Sequence, residues 1–253
     1  MTCPLCYSNS TTSTPLPAER RGWCCAECGL IALDPAQQLT LETERERYLL
    51  HRNARHDIEY VAFLERLVAP LVAVVTPPAD VLDFGSGPAP VMAELLQARG
   101  YRVTLYDPLF ANDDAALVRQ YHAIACCETA EHFRQPAKEW QRMCAGLMPG
   151  GVLAVMTLLY EDADLSNWWY ARDPTHVCFY ALRTVEWLAC KNDFEILQCD
   201  GRVIILRKSK RDSSGPRLLF QLRNANQIAR VILSSQAFAG PRSFEPSVLR
   251  TRA

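Results

Sequence analysis

Two Cys-x-x-Cys pairs stand near the start of the chain, Cys3 and Cys6 in CPLC and Cys25 and Cys28 in CAEC, with 18 residues between them. Each pair can form a knuckle that aims two thiolates at one cation, and four thiolates make the closed tetrahedral set of a zinc ribbon. A closed set leaves no open coordination position, so the spacing assigns the metal a structural role first, substrate recruitment second and redox chemistry third. Gly29 permits the turn after the second pair, and Cys24 is a spare thiol that can replace Cys25 only by losing the two-residue gap. A second group, NWWYARDPTH (167–176), gathers Trp168, Trp169, Tyr170, Arg172, Asp173 and His176 into ten residues. His176 is the candidate general base because an imidazole titrates near neutral pH, with Asp173 close enough to orient it. His132 is its rival. The aromatic residues, with Tyr180, offer a wall for a planar or cationic substrate. Arg172 offers a partner for an acidic group on that substrate, or for Asp173 or Glu161.

A third stretch, VLDFGSGPAP (81–90), places Gly85 and Gly87 straight after an apolar run. Both can take a positive φ and leave bare backbone for a ligand to lie against. About 20 residues further on, YRVTLYD ends in Asp107, the distance at which strand–turn–helix sites place an acid on ribose hydroxyls.

These groups need a scaffold, and the chain alternates strand and helix to provide one. VLDFG, VMAELLQARG, YRVTLYD, DDAALVRQY and HAIACC follow in turn, then a helix ending near LMPGG, the strand VLAVMTLL and a helix around ALRTVEWLACKN. Such alternation predicts an α/β fold, mostly a parallel sheet with helices on both faces. FEILQCD and VIILRK, joined by a short turn, predict an antiparallel C-terminal edge hairpin. Four segments result: a small N-terminal zinc ribbon over 1–40, a helical cap over 41–75, an α/β body over 76–208 and a basic extension over 209–253. The cap carries Tyr48, His51 and Asn53, and LLFQLRNANQIARVILSSQ in the extension predicts one further helix.

In this order the segments resemble the class I S-adenosylmethionine-dependent methyltransferases, a Rossmann-like fold. Val81 to Gly87 match the family's first motif, an apolar strand and an acid before GxGxG, with Ala89 where a last glycine is common. Asp107 matches the acid ending the second strand, CCETAEHF (126–133) the fourth-strand segment, LMPGGVLAVMT (147–157) the turn into the fifth strand, and HVCFYALRTVEWLACKNDFEIL (176–197) the approach to the last two. The resemblance implies an S-adenosylmethionine site on Asp83, Gly85, Ser86, Gly87, Asp107, Pro108 and Glu128, with Tyr48 folding over it. Acceptor contacts would come from the loops after the fourth and fifth strands. Little chain separates Asp107 from His122, so the third strand is expected to be short or missing.

Net charge is -1, so the whole molecule carries no bias toward nucleic acid or anionic membrane. No apolar run reaches bilayer length. The start of the chain lacks the basic-then-apolar pattern of a signal peptide, and 11 cysteines, most inside apolar stretches, read as reduced thiols. A cytoplasmic enzyme acting on a small-molecule methyl acceptor is expected. Residues 202–252 hold eleven Lys or Arg against two acids, which keeps an RNA base methyltransferase as the alternative. A non-catalytic S-adenosylmethionine-binding module stands third.

Overall fold

Apolar runs bounded by turns become the strands of two sheets in the computed structural model, which describes residues 1–50, 56–161 and 165–210. His51, Asn53, the helix expected in the extension and nearly all of that extension lie outside the described residues. The larger sheet is built from β4 (Asp80–Phe84), β5 (Arg102–Tyr106), β6 (Tyr121–Cys127), β7 (Leu147–Met156), β9 (Phe194–Cys199) and β10 (Val203–Lys208), in the order β5-β4-β6-β7-β10-β9. The first four are parallel, and β10 runs antiparallel to both β7 and β9. The mostly parallel sheet and its antiparallel edge hairpin are thus as expected. So is the missing third strand: after Asp107 the chain makes only a bridge to Ala111 and the short helix α4 (Asp114–Leu117), which leaves β5 at the edge.

One face is covered by α2 (Ile58–Val74) and α3 (Val91–Gln97). Leu64, Leu67, Val68 and Leu71 recur at helical spacing and are all at most 3% exposed, so one apolar stripe meets Val81, Met92, Leu96 and Ile205. Asp57 starts α2 by accepting from the amides of Glu59 and Tyr60. The other face packs α5 (Pro136–Gly146) and α6 (Leu182–Lys191). A further helix, α1 (Leu41–Leu49), lies over the carboxyl ends of the strands.

The cysteine-rich start folds as β1 (Thr11–Pro15), β2 (Arg21–Cys25) and β3 (Ile31–Leu33). A two-residue strand from the large body, β8 (Cys178–Phe179), completes this second sheet by pairing Ile31 with Phe179 and Ala32 with Cys178. Leu30, Ile31 and Leu33 are wholly buried in the same cluster as Phe179, Tyr180 and Trp140. The ribbon therefore shares its core with the body.

Candidate active site

A cavity of about 1180 Å³ opens at the carboxyl ends of β4, β5 and β6, beneath α1. Its floor is the glycine turn. Gly85 (φ 85°) and Gly87 (φ 64°) both take the left-handed conformation, and the amides of Gly85 and Ser86 donate to the Tyr106 carbonyl at 2.7 and 3.2 Å, tying the turn to β5. A Cβ at Gly85 would overlap the Thr129 side chain, whereas one at Gly87 would meet no heavy atom within 4 Å. Gly85 is thus demanded by the protein itself, and Gly87 borders open space. Asp107 locks the loop from both sides: Oδ2 accepts from the Gly87 amide at 2.9 Å, and Oδ1 from Leu109 and Phe110 at 2.8 and 3.1 Å. Ser86, Pro108 and Asp107 all line the cavity.

Several buried polar atoms here have no hydrogen-bond partner among the described residues: Asp83 Oδ1, Ser86 Oγ, Glu128 Oε1 and both Glu131 oxygens. Asp83 lies behind the wall, 1% exposed, and burial, then the Asp107 charge, pushes its carboxyl up to about 7. Glu128, strained at φ 46°, lines the cavity. Burial and then Glu131 push its carboxyl up to about 8, against the pull of Arg202, whose Nη1 lies 3.7 Å away. Buried carboxylates short of hydrogen-bond donors are costly, and their common remedy is a bound cation or donor. The site fits a ligand with positive charge and hydroxyls. Tyr48 reaches it from α1: its hydroxyl donates to Glu44 Oε1 at 2.7 Å, the other Glu44 oxygen accepts from Arg134 at 2.5 Å, and its ring edges His132 with centroids 5.4 Å apart.

At the far end of the cavity stand Glu131, His132, Trp169, Tyr170, Asp173 and His176. The expected histidine–aspartate pairing is corrected here. Nδ1 of His176 meets the Tyr170 carbonyl at 2.7 Å, and Asp173 Oδ1 accepts from the amide and hydroxyl of Thr175 at 2.9 and 2.6 Å. An aspartate two residues before a threonine satisfies its own turn first. Nor does His176 titrate near neutral pH: burial, then the neighbouring His132, pushes it down to about 4. Three of the expected substrate contacts also move. Tyr180 is 1% exposed and donates to the Ala130 carbonyl at 3.1 Å, Trp168 packs on Phe179, and Arg172 is exposed; none of them lines the cavity.

Two arginines that no sequence motif marks shape this end. Arg20, from the turn before β2, donates to the carbonyls of Ala171 and Asp173 at 2.8 Å each and of His176 at 2.5 Å. Arg202, from the β9–β10 turn, lies over the rings of Phe63 and Tyr170. Neither carries a local motif, since both act on chain remote in sequence.

The four ribbon cysteines meet as their spacing requires. Sγ of Cys3 is 3.6 Å from Cys28, Sγ of Cys6 is 3.4 Å from Cys25, and all four lie within 4.8 Å of one another. These separations are far above a disulfide bond length. Cys25, not Cys24, belongs to the group.

No helix among the described residues is long and apolar enough to cross a membrane. Residues 52–199 match the model of a family described as a methyltransferase domain. No curated protein matches the chain. Among solved structures, the chain is similar to Burkholderia thailandensis 1,6-didemethyltoxoflavin-N1-methyltransferase with bound 1,6-didemethyltoxoflavin and S-adenosylhomocysteine, at 16% identity and TM-score 0.46, over 78% of this chain and 99% of that one. It is also similar to an O-methyltransferase family protein from the same organism (12% identity, TM-score 0.47, 70% and 64% covered). A third is a possible histamine N-methyltransferase from Thermotoga maritima (16%, TM-score 0.39, 68% and 96%). With a family match over more than half its length, on the segment that carries the glycine turn and most of the parallel sheet, the chain belongs to the methyltransferase domain family.

Proposed function

We propose that this S-adenosylmethionine-dependent methyltransferase passes the methyl group to a small organic molecule held between the glycine turn and the Trp169–His176 segment, while Cys3, Cys6, Cys25 and Cys28 hold one structural zinc ion. The observation that carries the reading is a single cavity with two unlike ends. One offers bare glycine backbone and orphaned acids, the other aromatic rings and imidazoles. When bound, the cofactor supplies an electrophilic methyl group on a sulfonium. Gly85, Gly87 and Asp107 would hold its nucleoside part, with Asp83 and Glu128 balancing its positive charge. Trp169 and Tyr170 would bind and orient the acceptor, which is most of what an in-line displacement asks of a protein. His176 is pushed down to about 4 and stays neutral at physiological pH, so it does not store the acceptor's proton.

A small acceptor is favoured over RNA by the charge of the wall. Eight carboxylate residues line the cavity against four Lys or Arg, a field that repels a phosphate backbone. The test is transfer of labelled methyl from S-adenosylmethionine to a cell lysate split into small-molecule and RNA fractions. Label in the small-molecule fraction is expected, and label confined to RNA would overturn the acceptor class.

The shifted carboxyls give this site a pH signature. Because Asp83 and Glu128 hold protons up to about 7 and 8 in the free protein, a cationic ligand must displace them. Cofactor affinity is expected to rise between about pH 6 and 8 and level off above, with proton release at pH 7. Calorimetric titrations in buffers of different ionisation enthalpy read this directly, and a flat profile or proton uptake would contradict it. The sign for stability of the free protein is the opposite. Acids with raised folded pKa values weaken the fold as pH climbs from the unfolded value near 4 to the folded values, and not further.

Arg20 gives another prediction. Arg20→Ala removes three charged-donor hydrogen bonds from the loop bearing His176, and small misplacements at a reacting centre cost up to about 100-fold. The expected result is kcat lowered by about 10- to 100-fold with cofactor affinity nearly unchanged. Equal losses in both would mean that the loop serves the cofactor end instead.

A further inference from the structure

We infer that Glu131, His132 and His176 form a second metal site, for a divalent transition cation, at the acceptor end of the cavity. The inference rests on the proposed reading that this end holds the methyl acceptor. One donor atom from each of the three residues lies within 4.8 Å of the other two. Glu131 is wholly buried, yet neither of its oxygens has a hydrogen bond within 3.5 Å among the described residues, the Tyr170 hydroxyl being its looser neighbour. A buried carboxylate with no close hydrogen bond is an expensive thing to maintain, and two imidazoles beside it are what a cation would require.

The tautomers follow from the backbone. Nδ1 of His132 meets the Thr175 carbonyl at 3.0 Å and Nδ1 of His176 meets the Tyr170 carbonyl at 2.7 Å. A carbonyl only accepts, so each Nδ1 carries the proton and each Nε2 keeps its lone pair. Orienting an imidazole through the nitrogen away from the metal is the usual second contact of a ligating histidine. The frame is held as well: the Val177 amide donates to the Glu131 carbonyl at 2.7 Å, and Arg20 grips the His176 carbonyl. Metal–nitrogen bonds of about 2.1 Å bring ligand atoms no further than about 4.2 Å apart, so only a small contraction closes the triangle.

Two imidazoles and one carboxylate select zinc, iron or cobalt over magnesium or calcium, and three protein ligands leave positions open. Those positions face the cavity. The substrate class that follows is an acceptor with a hydroxyl or thiol, whose pKa a cation would lower. The balance is simple: the acceptor's O–H or S–H proton leaves to water, the methyl carbon bonds to that oxygen or sulfur, and the carbon–sulfonium bond breaks to leave a neutral thioether.

The test uses the full chain, first loaded with one equivalent of zinc to fill the ribbon thiolates, then titrated with Co²⁺. One further equivalent is expected, with weak visible d–d bands and no sulfur-to-cobalt charge-transfer band, since no thiolate takes part. Glu131→Gln and His176→Ala are each expected to weaken that binding by about 100-fold or more, a loss at least equal to that from removing a metal's outer contacts. His132→Ala, at a partly exposed position, repeats the test should either buried variant fail to fold. No cobalt bound by the zinc-loaded wild type, or undiminished binding in folded variants, overturns the site. Titrating S-adenosylhomocysteine into the same samples keeps the two ideas apart: cofactor bound without cobalt refutes only the metal, and cobalt bound without cofactor leaves the metal standing while refuting the transfer reading.

Discussion

Gly87→Val is expected to abolish measurable cofactor binding while leaving the sheet folded. The glycine sits at φ 64° on the cavity wall, where an added Cβ meets no protein atom within 4 Å. A branched side chain there projects into the space that the ligand needs. The left-handed backbone costs a β-branched residue about 1–2 kcal/mol, a tolerable loss against a stability of about 5–15 kcal/mol. The lost affinity should exceed 100-fold, about 2.7 kcal/mol. Titration calorimetry beside a thermal melt checks both halves, and an affinity within about threefold of wild type would mean that nothing binds against the turn. Gly85 is the worse probe, although the strand–turn pattern makes it the obvious one. A side chain there strikes Thr129, so Gly85→Val is expected to lose fold and affinity together.

Loss of the zinc proposed on Cys3, Cys6, Cys25 and Cys28 should unfold far more than the first 40 residues. Structural zinc contributes about 10–16 kcal/mol to small isolated zinc modules, and this one is not isolated. β3 carries β8, Cys28 and Leu30 are wholly buried in the main cluster, and Arg20 holds three carbonyls of the acceptor loop. The double variant Cys3→Ser, Cys28→Ser is expected to contain one zinc fewer per chain, and to lose more than about 4 kcal/mol of stability, a large share of what a domain has. Denaturant unfolding with metal analysis on the same sample measures both. A variant that lost the zinc but melted as one unit near the wild-type midpoint would show the ribbon to be an appendage after all.

What could be read from the sequence was what local pattern determines. The glycine turn, the acid 20 residues on at Asp107, the closing hairpin and the absent third strand are written in runs of apolar residues and in the chain length between them. The convergence of the four cysteines was legible in the paired spacing of the two Cys-x-x-Cys motifs. The failures are contacts between segments distant in sequence. Tyr180 was expected to contact the substrate, yet Val177 to Tyr180 are all at most 3% exposed. Cys178 and Phe179 are claimed by the ribbon, and a two-residue strand buried on both faces shows no alternation to betray it. Asp173 failed for the opposite reason. Its partner is two residues away, and an Asx turn satisfies an aspartate before any longer-range role does. Arg20 and Arg202 have no local signature at all.

The most direct measurement is a crystal structure of the full chain grown with S-adenosylhomocysteine. The ligand is expected along Gly85–Gly87 with its ribose hydroxyls at Asp107 and its sulfur turned toward Glu131 and His176. A saturating ligand bound anywhere else, with that crevice left closed, would contradict the assignment of this cavity to methyl transfer.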